Sequence, residues 1–153
     1  MSRQSFGEDR AGPQSVITLA AGTTNLQPEV HANRLLRIAN AGSLHTINLP
    51  RAYGTGDTYE FISTVARTSN IVINAVATVP SNIIIGRIFQ SASGNFFTSF
   101  ASTANDIITL NQTTTGGLAA GDYLKLIDEA PATWRVVLGL FTTSGAQATP
   151  FSG

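Results

Sequence analysis

The chain has 153 residues, with nine basic and nine acidic side chains and a formal net charge of zero. Only 12% of its residues are charged, about half the usual share, while 42% are hydrophobic. This composition argues against nucleic-acid binding, because no basic stripe is present, and the absence of cysteine excludes disulfides and thiolate metal sites. No apolar run approaches the ~20 residues of a transmembrane helix, and the first ten residues lack the apolar core of a signal peptide.

The N-terminal segment, residues 1–14, is polar and contains Gly7, Gly12 and Pro13. It predicts a flexible arm ahead of a single β-domain that spans residues 15–153. The arm is interpreted either as a disordered end or as a segment that becomes ordered against a neighbouring subunit. A charge-poor surface of Ser, Thr, Asn and Gln favours an oligomer, because such surfaces can be buried at low electrostatic cost.

Ten short segments rich in β-branched and aromatic residues follow, separated by turn residues. We expect an all-β fold, an antiparallel β-sandwich or barrel of about nine or ten short strands. A hairpin is expected from residue 35 to residue 49, although residues 34–39 also fit a short helix, and Gly86 is a candidate β-bulge. The segments are residues 15–19, 34–39, 43–49, 59–65, 71–76, 83–89, 95–100, 106–110, 122–127 and 133–141.

One pattern occurs twice: a glycine-rich loop, a Gly-Asp pair, and a strand with an aromatic residue near its start. The aspartates are Asp57 and Asp122. A calcium loop needs six to eight oxygen ligands, and no Asp-x-Asp series supplies them. We therefore interpret both as turn residues whose carboxylates accept backbone N–H groups where a strand begins, and the likeness of the two copies as convergent turn chemistry.

Groups that perform chemistry are scarce. The two histidines, His31 and His45, have no partners at metal-ligand spacing, and His45 is expected to be a half-buried, hydrogen-bonded strand residue. Asp128 and Glu129 are adjacent, so on a strand they face opposite ways. A nucleophile elbow and a phosphate-binding loop are absent. The sequence therefore predicts a protein that is not an enzyme, with no cofactor and no metal.

Two features of the aromatic residues bear on binding. Phe96 and Phe97 are adjacent, so they cannot both face one core; one of them is an interface anchor unless the strand is buried on both faces. Trp134 lies among apolar strand residues and is expected in the core rather than on a carbohydrate-binding surface.

Five stretches of sequence carry a resemblance to a known family: LPRAYGTGDTYEF (49–61), DIITLNQTTTGGL (106–118), GDYLKLID (121–128), TWRV (133–136) and GAQATPFS (145–152). Together they resemble structural proteins of tailed-bacteriophage virions, in particular capsid decoration (cement) proteins. The resemblance implies a β-sandwich made in the host cytoplasm that binds the major capsid protein on the outer capsid surface. Such proteins are commonly trimers, and the resemblance implies no nucleic-acid or membrane partner.

On this hypothesis Phe6 and Arg10 of the arm contact the capsid, and Phe96, Phe97 and Phe100 contact neighbouring subunits. The alternative hypothesis is a tail-fibre or tail-tip β-domain that binds host surface glycans through the loop around Tyr53 to Asp57. It predicts exposed aromatic and amide or carboxylate side chains in that loop.

Overall fold

The computed structural model describes residues 16–75, 82–92 and 97–153. These residues form twelve strands and one short helix, which confirms the all-β prediction. The elements are β1 (Val16–Thr18), β2 (Gly22–Asn25), α1 (Pro28–His31), β3 (Arg34–Ile38), β4 (His45–Asn48), β5 (Thr58–Ser63), β6 (Ile71–Asn74), β7 (Ile83–Ala92), β8 (Phe97–Asn105), β9 (Ile107–Leu110), β10 (Tyr123–Ala130), β11 (Thr133–Thr143) and β12 (Phe151–Ser152).

The strands form two sheets that pack as a sandwich. The seven-stranded sheet has the order β1-β3-β5-β10-β11-β7-β8, and the five-stranded sheet has the order β12-β9-β6-β4-β2. Both sheets are mixed rather than antiparallel: five neighbouring pairs are parallel and five are antiparallel. The parallel pairs arise largely because the first half of the chain changes sheet after every strand.

That first half is a coil stack, which we define as β1 to β6. Odd-numbered strands lie in the seven-stranded sheet and even-numbered strands in the five-stranded sheet, so each successive pair makes one coil on top of the last. The predicted hairpin from 35 to 49 is therefore wrong. The turn after β3 carries the chain across the sandwich to β4 instead of back along β3, and parallel neighbours need such crossovers.

An asparagine ladder runs along one edge of the coil stack. Asn25, Asn48 and Asn74 end β2, β4 and β6 and are paired in register. The side-chain amide of Asn74 donates to Oδ1 of Asn48 (3.0 Å), and that of Asn48 donates to Oδ1 of Asn25 (2.7 Å). Stacked amides of this kind pair identical side chains between parallel strands and hold the register of the coils.

The second half of the chain completes both sheets. β10 and β11 form a hairpin beside β5, and β9 adds antiparallel to β6. The predicted bulge lies beside Gly86 and not in its own strand: the extra residue is Val137 of β11, and β8 also has one extra residue opposite the segment from Ile84 to Gly86. Gly86 has φ +117°, and a Cβ there would lie 2.8 Å from the Val136 carbonyl oxygen.

The core lies between the sheets and draws on both. Trp134 is buried, as predicted, and packs edge-on against Tyr59 with ring centroids 5.4 Å apart. Strand alternation explains the burial, since residues two apart on a strand share a face. The sequence prediction missed β2 and β12, which are short and lack an alternating apolar pattern.

Candidate interaction surface

The seven-stranded sheet has an outer face that no described element covers. Its inner face carries the core residues, and its outer face carries the alternate residues of the same strands. At the β11-β7-β8 end this outer face carries large apolar side chains, together with the exposed Arg87 of β7, whose guanidinium donates to the Ser99 hydroxyl at 3.2 Å. We call that region the outer patch; it consists of Phe89, Phe97, Val137, Leu138 and Leu140.

The strand register brings these residues together. Leu140 on β11 pairs directly with Phe89 on β7, and Phe89 pairs with Ser99 on β8. Phe97 lies two residues before Ser99 and therefore points to the same face, diagonal to Phe89. Phe97 is 78% exposed, Leu140 45% and Phe89 41%, so large apolar side chains on three adjacent strands face solvent.

The bulge in β11 enlarges the patch. Leu126 pairs with Val136 and Lys125 with Leu138, which leaves Val137 as the extra residue. Val136 points inward and is buried, whereas both Val137 and Leu138 are exposed. A bulge re-aims side chains in this way, so two consecutive apolar residues face outward where a regular strand would expose one.

A groove of about 290 Å³ adjoins the patch. Its lining includes Phe89, Phe97 and Leu140 of the patch, Ala120 and Gly121 of the turn before β10, and the polar residues Ser91, Asp122 and Thr142. The patch is therefore not wholly flat, because it borders a shallow depression.

Charges on the neighbouring part of the outer face are paired. Glu60 on β5 forms a 2.9 Å ion pair with Lys125 on β10, and the Tyr123 hydroxyl donates to the same carboxylate at 2.9 Å. Burial, and next the hydrogen bond to Glu60, raises the pKa of Tyr123 to about 12. The patch thus borders a neutralised polar strip, which adds little electrostatic steering.

The two Gly-Asp aspartates have different environments. Asp122 accepts backbone N–H groups from Ala119 and Thr142, which agrees with the turn interpretation. Burial raises its pKa, and these hydrogen bonds counteract the rise. Asp57 accepts instead from the side-chain amide of Asn33 (2.9 Å), and the single hydroxyl proton of Thr55 is shared between Asp57 and Asp128, at 3.0 Å from each carboxylate.

The backbone of the first glycine-rich loop is held by Asp128, a residue the sequence did not single out for this role. Its buried carboxylate accepts N–H bonds from Tyr53 (3.0 Å) and Gly54 (2.7 Å) and the hydroxyl of Thr55 (3.0 Å). The neighbouring Glu129 is exposed and pairs with Arg135, so the two acids do face opposite ways, as predicted.

Tyr53 projects from this fixed loop. It is 63% exposed, and the Arg51 guanidinium lies 5.3 Å from its ring centroid. The ring is thus presented to solvent on a loop whose backbone is held by Asp128. The guanidinium lies over one face of the ring, in a cation–π contact.

His45 and Arg67 form an unusual buried pair. His45 is fully buried, so the prediction of a half-buried histidine is wrong. Arg67 is buried too, and its guanidinium donates to the carbonyls of Asn40, Ser43 and Ser69. Burial, and next the charge of Arg67, lowers the pKa of His45. An interaction with the Ala20 backbone raises the pKa of the ring and opposes the effect of burial.

Residues 16–75, 82–92 and 97–153 contain no group of three or more His, Cys, Asp or Glu placed to hold a metal ion. Over the same described part of the chain, no helix has the length and apolar character needed to cross a membrane.

The predicted interface residues are separated by the fold. Phe97 is outward on β8, whereas Phe100 pairs with Ile88 and packs against the core. Phe6, Arg10 and Phe96 lie outside the described residues. The sequence prediction missed Phe89 and Leu140 because an apolar strand with one exposed face has the same composition as a strand buried on both.

Comparison with known proteins gave no match to any protein-family model, curated protein or solved structure.

Proposed function

We propose that this protein is a non-enzymatic structural component of a tailed-phage virion that binds the outer capsid surface and stabilises it. The single observation that carries the proposal is the outer patch, a group of exposed apolar side chains on a β-sandwich with few charged residues. Clustered exposed aromatic and aliphatic side chains mark binding sites, because burying them is favourable and leaving them in water is not.

The partner in this proposal is the major capsid protein, and the protein binds it as a trimer. A decoration protein acts by burying surface across capsomer junctions, so that rupture of the shell must also break those contacts. Interface cores are depleted in charge and enriched in aromatic residues. Phe97 and Phe89 supply the aromatic anchors. The exposed Arg87 on the same face keeps its hydrogen bond to Ser99 and requires an acceptor or solvent at the edge of the contact.

The experiment uses virions whose copy of this gene is deleted and to which purified protein is added back. Heads are imaged by electron microscopy and scored for survival after heating. Wild-type protein should restore surface density on the head and raise the surviving fraction. A Phe97→Ser/Leu140→Ser double variant should do neither, although it folds, because both side chains are exposed.

Leu44→Ser is the matched control, since Leu44 is an exposed apolar residue in the turn before β4, outside the patch. It should behave as wild type. Equal head binding by the double variant and the wild type would contradict the patch as the attachment surface, and density on the tail alone would contradict capsid decoration.

A second candidate function is favoured by the Tyr53 loop. An exposed tyrosine beside Arg51, on a backbone fixed by Asp128, suits stacking against a sugar ring in a host surface glycan. Binding of the protein to isolated host polysaccharide tests it. Tyr53→Ala should abolish that binding and Leu44→Ser should preserve it, whereas retained binding by Tyr53→Ala would reject the loop as the glycan site.

A further inference from the structure

The seven-stranded sheet ends beside the outer patch in a long edge strand, β8. It has nine residues, whereas the other edge strands, β1, β2 and β12, have three, four and two. Natural edges discourage pairing with another chain by being short or by carrying charges, prolines or bulges. Phe97–Asn105 contains neither charge nor proline, and the extra residue of β8 lies beyond Ser102. Residues 97–102 therefore form a regular and unprotected edge.

The direction of the backbone groups in β8 follows from those in β7. Ile83 donates its N–H group to the carbonyl of Ala132, beside β11, at 2.9 Å. The carbonyl of Ile84 faces the other way and accepts the hydroxyl of Ser102 on β8 at 2.6 Å. Because successive residues of a strand point their backbone groups to opposite sides, the odd-numbered residues of β7 bond towards β11 and the even-numbered ones towards β8.

The odd-numbered residues of β8 consequently face the open edge. Arg87 and Phe89 bond towards β11, and they lie opposite Ala101 and Ser99. Opposite residues of an antiparallel pair either bond to each other or both point away. The N–H and C=O groups of Phe97, Ser99 and Ala101 therefore point away from β7, and no backbone bond to another described residue satisfies them. Their side chains are exposed on the outer face, so the open edge and the outer patch are continuous.

Arg87 indicates which kind of chain fits this edge. Its guanidinium donates to the Ser99 hydroxyl at 3.2 Å, so it lies over β8, and it has no acidic partner among the described residues. If a second copy of the chain paired with β8 about a two-fold axis, two such guanidiniums would face each other across strands about 5 Å apart. Like charges across such a pair destabilise it. A different chain avoids this repulsion and supplies a hydrogen-bond acceptor to Arg87.

We propose that an extended segment of another protein adds to β8 as an eighth strand of the sheet. Its backbone bonds to Phe97, Ser99 and Ala101, an apolar side chain packs beside Phe97, and a polar side chain accepts from Arg87. The inference rests on the proposed function for the identity of that protein, the major capsid protein. Attachment then uses main-chain hydrogen bonds along the edge in addition to the side chains of the outer patch.

A proline at the edge tests the added strand. Ala101→Pro removes an N–H group that points to the open edge, where a sheet tolerates proline, so the variant should remain folded. It should bind heads that lack this protein at least about tenfold more weakly than the wild type, because it loses a main-chain hydrogen bond to the partner. Ala101→Ser keeps the N–H group and is the matched control, which should bind as the wild type does.

The outcomes separate this inference from the proposed function. Equal head binding by Ala101→Pro and the wild type would overturn the added strand and leave capsid attachment in place. Absence of head binding by the wild type would reject the proposed function, and with it the partner named for this edge.

Hydrogen exchange detects the same contact without a substitution. In the isolated protein the amides of Ser99 and Ala101 should exchange fast, whereas that of Phe100, bonded to β7, should be protected as an internal control. On heads, mass spectrometry of peptides covering residues 97–102 should show about three additional protected amides, each slowed at least about tenfold. No gain on heads would overturn the proposal. Protection of Ser99 and Ala101 already in the isolated protein would also overturn it, because this chain or a second copy would then occupy the edge.

Discussion

Asp128 is the residue on which the Tyr53 loop depends, because one buried carboxylate accepts two backbone N–H groups and a hydroxyl. Asp128→Ala should lower the free energy of unfolding by about 2–3 kcal/mol, since buried donors lose their acceptor. Urea denaturation measures the change. The adjacent Glu129→Ala is the control and should have little effect, because its ion pair with Arg135 is exposed; equal losses would contradict this role.

His45 should make stability depend on pH. Burial, and next the charge of Arg67, places its pKa below the ordinary value of 6.5. The unfolded chain therefore binds a proton first as the pH falls through about 6.5. Stability should be full above that pH and decline towards pH 5, by no more than about 1.4 kcal/mol per pH unit for one proton.

The measurement for His45 compares urea midpoints at pH 7, 6 and 5. Asp122, whose pKa burial raises, acts in the opposite direction, so the readout is the difference between the wild type and His45→Asn. The unfolding free energy of His45→Asn should fall less between pH 7 and pH 5 than that of the wild type. The unfolding free energy of His31→Asn should fall as much as that of the wild type. Identical pH profiles for the wild type and His45→Asn would rule out His45 as the source.

Among the elements, the asparagine ladder makes a graded prediction. Asn48 takes part in two ladder hydrogen bonds and Asn25 in one. Each bond contributes about 1 kcal/mol or less on a partly exposed edge. Asn48→Ala should therefore cost about 1–2 kcal/mol of unfolding free energy and Asn25→Ala about half of that, measured by urea denaturation. A larger cost at Asn25 would show that the ladder does not hold the coils in register.

The bulge between β7 and β11 constrains Gly86. Gly86→Ala should lower the free energy of unfolding by about 2–4 kcal/mol, because it combines strain at positive φ with a contact on the Val136 carbonyl. Gly56 also has positive φ, but a Cβ at that position would meet nothing within 4 Å. Gly56→Ala should cost only the strain, about 1 kcal/mol. If urea denaturation gave similar losses of unfolding free energy for Gly86→Ala and Gly56→Ala, the contact between the new Cβ and the Val136 carbonyl would contribute no cost.

Most strands could be predicted from sequence, because the alternation of apolar and polar residues in segments such as His45–Asn48 has the period of a strand. β2 could not be predicted: its sequence, Gly-Thr-Thr-Asn, has no apolar residue and is typical of a turn. The pairing partners were equally hidden. Whether the turn after Ile38 returns along the same sheet or crosses to the other depends on contacts with residues far along the chain.

One residue of the outer patch could be predicted from the sequence. The adjacent pair Phe96 and Phe97 indicated an outward aromatic residue, and Phe97 is outward. The rest of the outer patch depends on register and on the extra residue Val137, neither of which composition reveals. Asp128 went unrecognised because its acceptor role joins it to residues more than 70 positions earlier in the chain.

At the scale of the whole molecule, charge is too sparse to drive association. Only 12% of the residues are charged, and the net charge is zero. The proposed capsid attachment through the outer patch should therefore change by less than about threefold between 50 mM and 500 mM salt, because screening acts on charges and not on apolar burial. Co-sedimentation with virion heads measures it, and a loss of attachment at high salt would point to an electrostatic contact instead.

The coil stack has a consequence for synthesis on the ribosome. When Asn74 has emerged, β5 and β6 still lack their outer neighbours, since β9 begins at Ile107 and β10 at Tyr123. Until those segments are translated, the nascent chain carries two adjacent unpaired strand edges, and such edges favour aggregation between chains. A truncated mRNA that ends between the codons of Asn74 and Ile107 would therefore yield an aggregation-prone fragment. In this fold, solubility depends on translation of the second half of the chain.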